Sequence, residues 1–363
     1  MPLIVDSHCD LAWNMINYGR DYTRSAAETR RLEHGSLTPE KNGDSLIGWP
    51  DYQRGQVAAV FATLFASPAR LREGSWERLA YADPEQAHRF YRRQLDAYHE
   101  LADSQPEHFR LIGAARELRA HLEEWRDPAR EQRPVGLVVL MEGADAIRSP
   151  DELAEWHDLG LRLVGLAWAR TRYAGGTREP GPLTEEGRRL LHAMADFNFT
   201  LDLSHMDEQS ALEALDLYPG PIVATHVNCL ALLPNFPTNR HFSDRVLRGI
   251  IERDGVIGNV PLNSFLKPGW NRAHGSRREE VPLEAFVAHI DHVCQLAGDS
   301  LHSGIGSDFD GGFGVQSVPP EIDTVADLQK VAVLLRQRGY SEQDAANILG
   351  LNWLTFLEKN LPS

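Results

Sequence analysis

Short apolar runs alternate with longer segments of helical periodicity along this chain. The runs are Leu3 to Val5, Gln56 to Phe65, Val135 to Leu140, Leu161 to Leu166, Phe199 to Leu203, Pro221 to Ala224, Gly255 to Val260 and Leu301 to Ile305. Their nearly continuous apolar character predicts strands covered on both faces. Amphipathic patterns predict helices over Pro84 to Asp103, Ala114 to Trp125, Thr184 to about Phe197, from Ser243, over Leu283 to Ala297, and from about Thr324 onward. Ser149-Pro150-Asp151-Glu152 reads as a cap followed by proline in a first turn. Strand–helix alternation implies a parallel sheet, and eight strands favour a closed (β/α)8 TIM barrel of the α/β class over an open sheet. No Gly-x-Gly-x-x-Gly follows the first run, which weighs against a dinucleotide-binding unit. The expected organisation is one barrel domain over residues 1–363, with a polar insertion at about 18–56 over the barrel mouth and closing C-terminal helices. Tyr173 to Leu183 reads as a loop rich in glycine and proline.

The chemistry sits where the runs end. Asp6-Ser7-His8-Cys9-Asp10 follows the first run, and strand alternation predicts Asp6, His8 and Asp10 on one face. The third run ends in Glu142, the fifth in Ser204-His205, the sixth in Thr225-His226, and the eighth in Asp308. A barrel opens all its strand C-termini onto one face, so these residues converge there. Each also has a plainer reading: a hydrogen-bonded histidine, a salt-bridged Glu142, or a turn-capping aspartate, the last best suited to Asp310. Taken together they suggest two metal ions. His8 with Asp10 forms one ligand pair and His205 with His226 another, while Glu142 has two oxygens with which to bridge. Zinc suits this mixed nitrogen and oxygen set, with manganese or cobalt as substitutes. The lysines Lys41, Lys267, Lys330 and Lys359 do not close any central strand, which leaves Glu142 as the better bridge. Asp308 then remains as a general base and acid.

Composition narrows the class. The 363 residues are 42% hydrophobic and 25% charged, with a formal net charge of -15. That balance predicts no nucleic-acid partner and no anionic membrane surface. The three cysteines Cys9, Cys229 and Cys294 are too few for a disulfide framework and fit a reducing compartment. No leader pattern and no apolar run of spanning length is present, so a cytoplasmic enzyme is expected. Oligomeric state is open: a homodimer is plausible by base rate, and no patch in the sequence demonstrates it.

With these residues in place, the chain resembles the renal (membrane) dipeptidase family of metallopeptidases, within the amidohydrolase-like barrels. The resemblance rests on Asp6-Ser7-His8-Cys9-Asp10, Glu142-Gly143, Asp202-Leu203-Ser204-His205, Thr225-His226 and Gly306-Ser307-Asp308-Phe309-Asp310-Gly311. Pro50-Asp51-Tyr52-Gln53-Arg54-Gly55-Gln56 adds the segment entering strand two. It implies a binuclear zinc dipeptidase with dipeptides as substrates, and leaves open whether a C-terminal D-residue is accepted. It also implies an arginine that grips the substrate carboxylate, at the position of Arg240. The animal members carry a histidine after strand four that polarises the scissile carbonyl, whereas this chain has Trp168 near that position. An indole N–H donates a hydrogen bond but carries no proton or charge. Two further readings therefore stand beside the first: a metal-dependent hydrolase of another amide, lactam or lactone, and a catalytically silent binding protein on the same barrel.

Overall fold

The computed structural model describes residues 1–363. Its centre is a ring of eight parallel strands: β1 (Ile4–Cys9), β2 (Val57–Phe65), β3 (Val135–Glu142), β4 (Leu161–Gly165), β5 (Thr200–Asp202), β6 (Ile222–Val223), β7 (Ile257–Asn259) and β8 (Ser303–Ile305). Neighbours in sequence are neighbours in the sheet, β1 pairs β8, and a bridge between Ala224 and Ile257 brings β6 to β7. The barrel expected from the alternation is therefore the one observed. Phe65, Glu142, Gly165, Asp202 and Val223 lie in register from strand to strand, so they mark one level at the mouth.

The core explains why apolar runs became strands. Residues of β1 to β4 and β6, among them Val5, Phe61, Leu140, Leu163 and Val223, share an apolar cluster with the fully buried Trp353 and its helical neighbours Leu354, Phe356 and Leu357. Trp353 packs edge-on to Phe61 at 5.1 Å. The C-terminal helix Asn352–Asn360 is thus part of the barrel core.

The helix Pro84–Ser104 shows how a helix positions strand ends. It starts at Asp83, whose side chain accepts from Gln86 N, and it buries Tyr91, Gln94, Leu95 and Tyr98 along one stripe. Gln94 accepts from Phe65 N and donates to Phe65 O, which ends β2. Tyr91 OH donates to Glu142 O at 2.6 Å, which fixes the end of β3.

Two segments differ from their expected form. Ala174–Gly176 and Glu179–Leu183 pair as an antiparallel hairpin where a loop was expected. The alternation signal is weak there because glycine and proline supply most positions. The stretch from 18 to 56 folds into helices Ala26–Glu33, Thr38–Lys41 and Trp49–Gly55, with Tyr22, Leu46, Ile47 and Tyr52 buried. No helix is long and apolar enough to cross a membrane.

One core histidine makes folding pH-dependent. His121 is fully buried in the helix Ala115–Arg126, with Nε2 2.8 Å from Ala58 O and Nδ1 without a partner. Burial pushes its pKa down to about 4. Between pH 6.5 and 4 the unfolded chain takes up a proton that the folded chain refuses. Stability is therefore full above pH 6.5 and falls by about 3 kcal/mol as pH drops to 4. His121→Gln keeps a donor for Ala58 O and cannot titrate. Urea unfolding at pH 7 and pH 4.5 should show a smaller acid loss in the variant; equal losses in both proteins would exclude His121 as the source.

Candidate metal centre and active-site cleft

Glu142 is the hub. Its Oε1 lies 3.0 Å from His205 Nε2 and 3.3 Å from His226 Nε2, and its Oε2 lies 3.7 Å from His8 Nε2. His8 Nε2 is also 3.7 Å from Asp10 Oδ2 and 3.9 Å from Asp308 Oδ1. The two oxygens of one carboxylate thus face two different groups of side chains. His205 and His226 bring their Nε2 atoms to 2.9 Å of one another. All six residues expected to converge do so, from β1 and the residue after it, from β3, and from the turns after β5, β6 and β8.

Supporting contacts aim these groups. Thr177 Oγ1 lies 3.0 Å from His205 Nδ1, and Thr225 Oγ1 lies 2.9 Å from His226 Nδ1. Thr225 Oγ1 is in turn 2.5 Å from Asp202 Oδ2, which makes a carboxylate–hydroxyl–imidazole chain of the kind that orients metal-binding histidines. His205 and Asp308 both adopt left-handed backbone, at φ 66° and 57°. Residues other than glycine adopt it uncommonly, and here it swings two side chains inward just past their strand ends. Gly311 leaves room for that swing: a Cβ there would sit 2.0 Å from Asp308 Oδ1 and 2.9 Å from Asp10 Oδ2.

Asp6 and Asp310 have other tasks. Alternation placed Asp6 beside His8 and Asp10, but the β1–β2 register shifts between Asp6 and Cys9 and breaks the period of two. The Asp6 carboxylate instead accepts from Ser307 N at 2.7 Å and from the Ser307 hydroxyl, tying β1 to the turn after β8. Asp310 is fully buried and holds the inserted segment. It pairs with Arg20 Nη1 at 2.8 Å and accepts from Tyr22 OH, Ser45 Oγ and Leu46 N.

The electrostatics call for cations. Burial raises the pKa of Glu142 and of Asp308, and the neighbouring His8 opposes the rise. Burial works against a charged His8, yet Glu142, Asp10 and Asp308 overcome it and raise its pKa. Burial, with the charges of Arg240 and His8, keeps His205 and His226 neutral. Both ring nitrogens of His8 and Asp10 Oδ1 are buried without a hydrogen-bond partner. Neutral imidazoles, clustered carboxylates and orphaned donor atoms are what a divalent metal ion satisfies. The residues fit a divalent metal: His8, Glu142 and His226, and His8, Asp10 and Asp308, each bring ligand atoms close enough together to hold one.

A cleft of about 400 Å³ opens over this cluster. Arg240 lies at its inner wall, where Nη2 donates to His226 O at 2.6 Å while Nε and Nη1 are buried without partners. Burial lowers its pKa to about 10, and Asp308 and Glu142 act against that, so it stays charged at neutral pH. Trp168 also lines the cleft, with its ring 6.2 Å from His205 and 5.1 Å from Phe65. Thr177 and the cleft residues after β2, Glu73, Trp76 and Glu77, were not anticipated from sequence. Only the glycines of the hairpin around Thr177 gave any local signal.

A family model described as membrane dipeptidase (peptidase family M19) matches residues 1–360. The crystal structure of dipeptidase AC, a metallopeptidase of family M19, superposes with a TM-score of 0.78 at 27% identity, covering 100% of this chain and 99% of that one. A metallopeptidase from Rhodobacter sphaeroides, liganded with a phosphinate mimic of the dipeptide L-Ala-D-Ala, gives 0.77 at 26% identity over 99% of both chains. In sequence, dipeptidase ataJ from Aspergillus terreus is 26% identical over 359 residues, 91% of this chain and 81% of that protein.

Proposed function

The chain belongs to the membrane dipeptidase family of metallodipeptidases, peptidase family M19, and from that premise we propose that it hydrolyses dipeptides at a two-metal site. His8 and Asp10 would hold one ion, His205 and His226 the other, and Glu142 both. Zinc is the ion best matched to three imidazoles and two carboxylates. When bound, such ions polarise the scissile carbonyl and make a water acidic enough to attack it. The split allegiance of the two Glu142 oxygens is the observation that carries this reading.

The chain's own side chains supply the rest. Arg240 offers two unpartnered donors in a planar fork, which suits the C-terminal carboxylate of a dipeptide. Asp308, beside His8 and facing the cleft, takes the proton of the attacking water and returns it to the leaving amine. Trp168 and Phe65 cover the cluster and limit water around the reacting carbonyl. The L-Ala-D-Ala mimic bound by the Rhodobacter relative supports including C-terminal D-residues among the substrates. Three buried free thiols support a cytoplasmic setting.

The test is a panel of L-Xaa-L-Xaa and L-Xaa-D-Xaa dipeptides, with their C-terminal amides, on zinc-loaded protein whose metal content is measured. Free dipeptides should be cleaved with about two metals per chain, and the amides should be cleaved far more slowly. A fully loaded site that leaves every dipeptide intact would overturn the reading. In that case Trp168 directs attention to other amides, lactams or lactones, because it stands where a charged donor would serve peptide cleavage.

A further inference from the structure

One end of the cleft has no task in the dipeptide reading. β2 and β6 stand four places apart in a ring of eight strands, so their loops face each other across the mouth. The loop beyond β6 carries Arg240, and the segment beyond β2 carries Ser67, Glu73, Trp76 and Glu77, all lining the same cleft. With its C-terminal carboxylate on Arg240 and its scissile carbonyl over Glu142, a dipeptide directs its N-terminal residue toward β2.

That side has the chemistry of a cation site. Glu77 is only 4% exposed. Its carboxylate accepts from the Ser67 hydroxyl and from Glu73 N at 3.0 Å. Neither Glu77 nor Glu73 forms an ion pair within the protein, and Lys41 on the same cleft is paired with Glu40 at 2.7 Å. A carboxylate buried without a cation is costly, and a bound cation removes that cost. Aromatic rings complete the wall: Trp13 meets Trp76 edge-on at 6.3 Å, and Tyr18 stacks on Trp76 at 5.7 Å. Trp13 lines the cleft and keeps Nε1 buried with no partner in the protein, so a donor stands free there for a substrate oxygen.

We infer that the β2 side of the cleft selects dipeptides whose N-terminal residue carries a cationic side chain, lysine or arginine, through Glu77, Glu73 and the rings of Trp13 and Trp76 that line it. Carboxylates and indole faces together recognise ammonium and guanidinium groups. The inference rests on the dipeptidase reading. The same chemistry also suits the α-ammonium that every dipeptide has, and the experiment separates the two sources.

The experiment compares kcat/KM for L-Lys-L-Ala, L-Arg-L-Ala, L-norleucyl-L-Ala and L-Glu-L-Ala on the zinc-loaded protein. The cationic substrates should exceed the norleucyl one by roughly tenfold, the scale of one desolvated cation contact. Glu73→Lys, at an exposed position, should bring that ratio toward one and raise L-Glu-L-Ala relative to the others. Glu77→Gln keeps acceptors for Ser67 and Glu73 N and should also lower the ratio. A wild-type ratio of one or less overturns the inference. So does an equal loss on all four substrates in Glu77→Gln, which assigns the carboxylate to the α-ammonium. Turnover of the norleucyl substrate reports on the dipeptidase reading by itself, and inertness toward all four sinks both.

Discussion

Replacing Asp308 with asparagine is expected to lower kcat by about 10²- to 10⁴-fold, the range for loss of a positioned proton carrier, while metal content stays at the wild-type level. Asparagine is the informative replacement because Asp308 sits at φ 57°, a conformation asparagine adopts more readily than most residues. The backbone of the turn and the space provided by Gly311 are therefore kept. What is lost is the carboxyl that faces the cleft 3.9 Å from His8 Nε2. Steady-state kinetics with metal analysis on the same sample decides the matter. A variant within tenfold of wild type would remove Asp308 from the proton path. A variant stripped of metal would make it a ligand instead.

Glu142→Gln should act through the metals themselves. The amide keeps one good acceptor oxygen and replaces the other with an NH2 group, so one side of the hub loses its anion. Loss of a residue that only supports a ligand typically weakens metal binding by about 10–100-fold, and loss of a shared ligand should exceed that. The expected variant holds fewer metals per chain after dialysis and has activity reduced by at least the same factor. Full metal occupancy in this variant would break the shared-ligand reading even if activity fell. Folding should survive, because the strand end is fixed by the contact of Tyr91 OH with the Glu142 carbonyl, which the substitution leaves in place.

Much of this site was legible because a barrel turns strand ends into a site. An acid or histidine closing an apolar run was enough to pick out His8, Glu142, His205, His226 and Asp308. Geometry set by long-range packing was not legible. Asp6 and His8 are two apart in β1, yet a register shift gives Asp6 to Ser307 and His8 to Glu142, Asp10 and Asp308. Asp310 reads as a turn residue, but its partners Arg20, Tyr22 and Ser45 lie some 265 to 290 residues away along the chain. Thr177 reaches His205 only because a glycine-rich hairpin folds over the mouth, and hairpins without alternating side chains leave little periodic trace. Glu73 and Glu77 look like ordinary surface acids in sequence; only the fold shows that they face the cleft.

The pairing of β1 with β8 has a consequence for how the protein is made. His8 leaves the ribosome some 300 residues before Ser307 and Asp308. At about 5–20 residues per second, that interval is roughly 15–60 s. Glu142, His205 and His226 are all synthesised before it ends, so a nascent chain already carries much of the candidate site. The ring cannot close around that partial site until β8 emerges to receive β1. A growing polypeptide therefore carries most of the clustered side chains but no complete cleft, and Asp308 is the last of them to be translated.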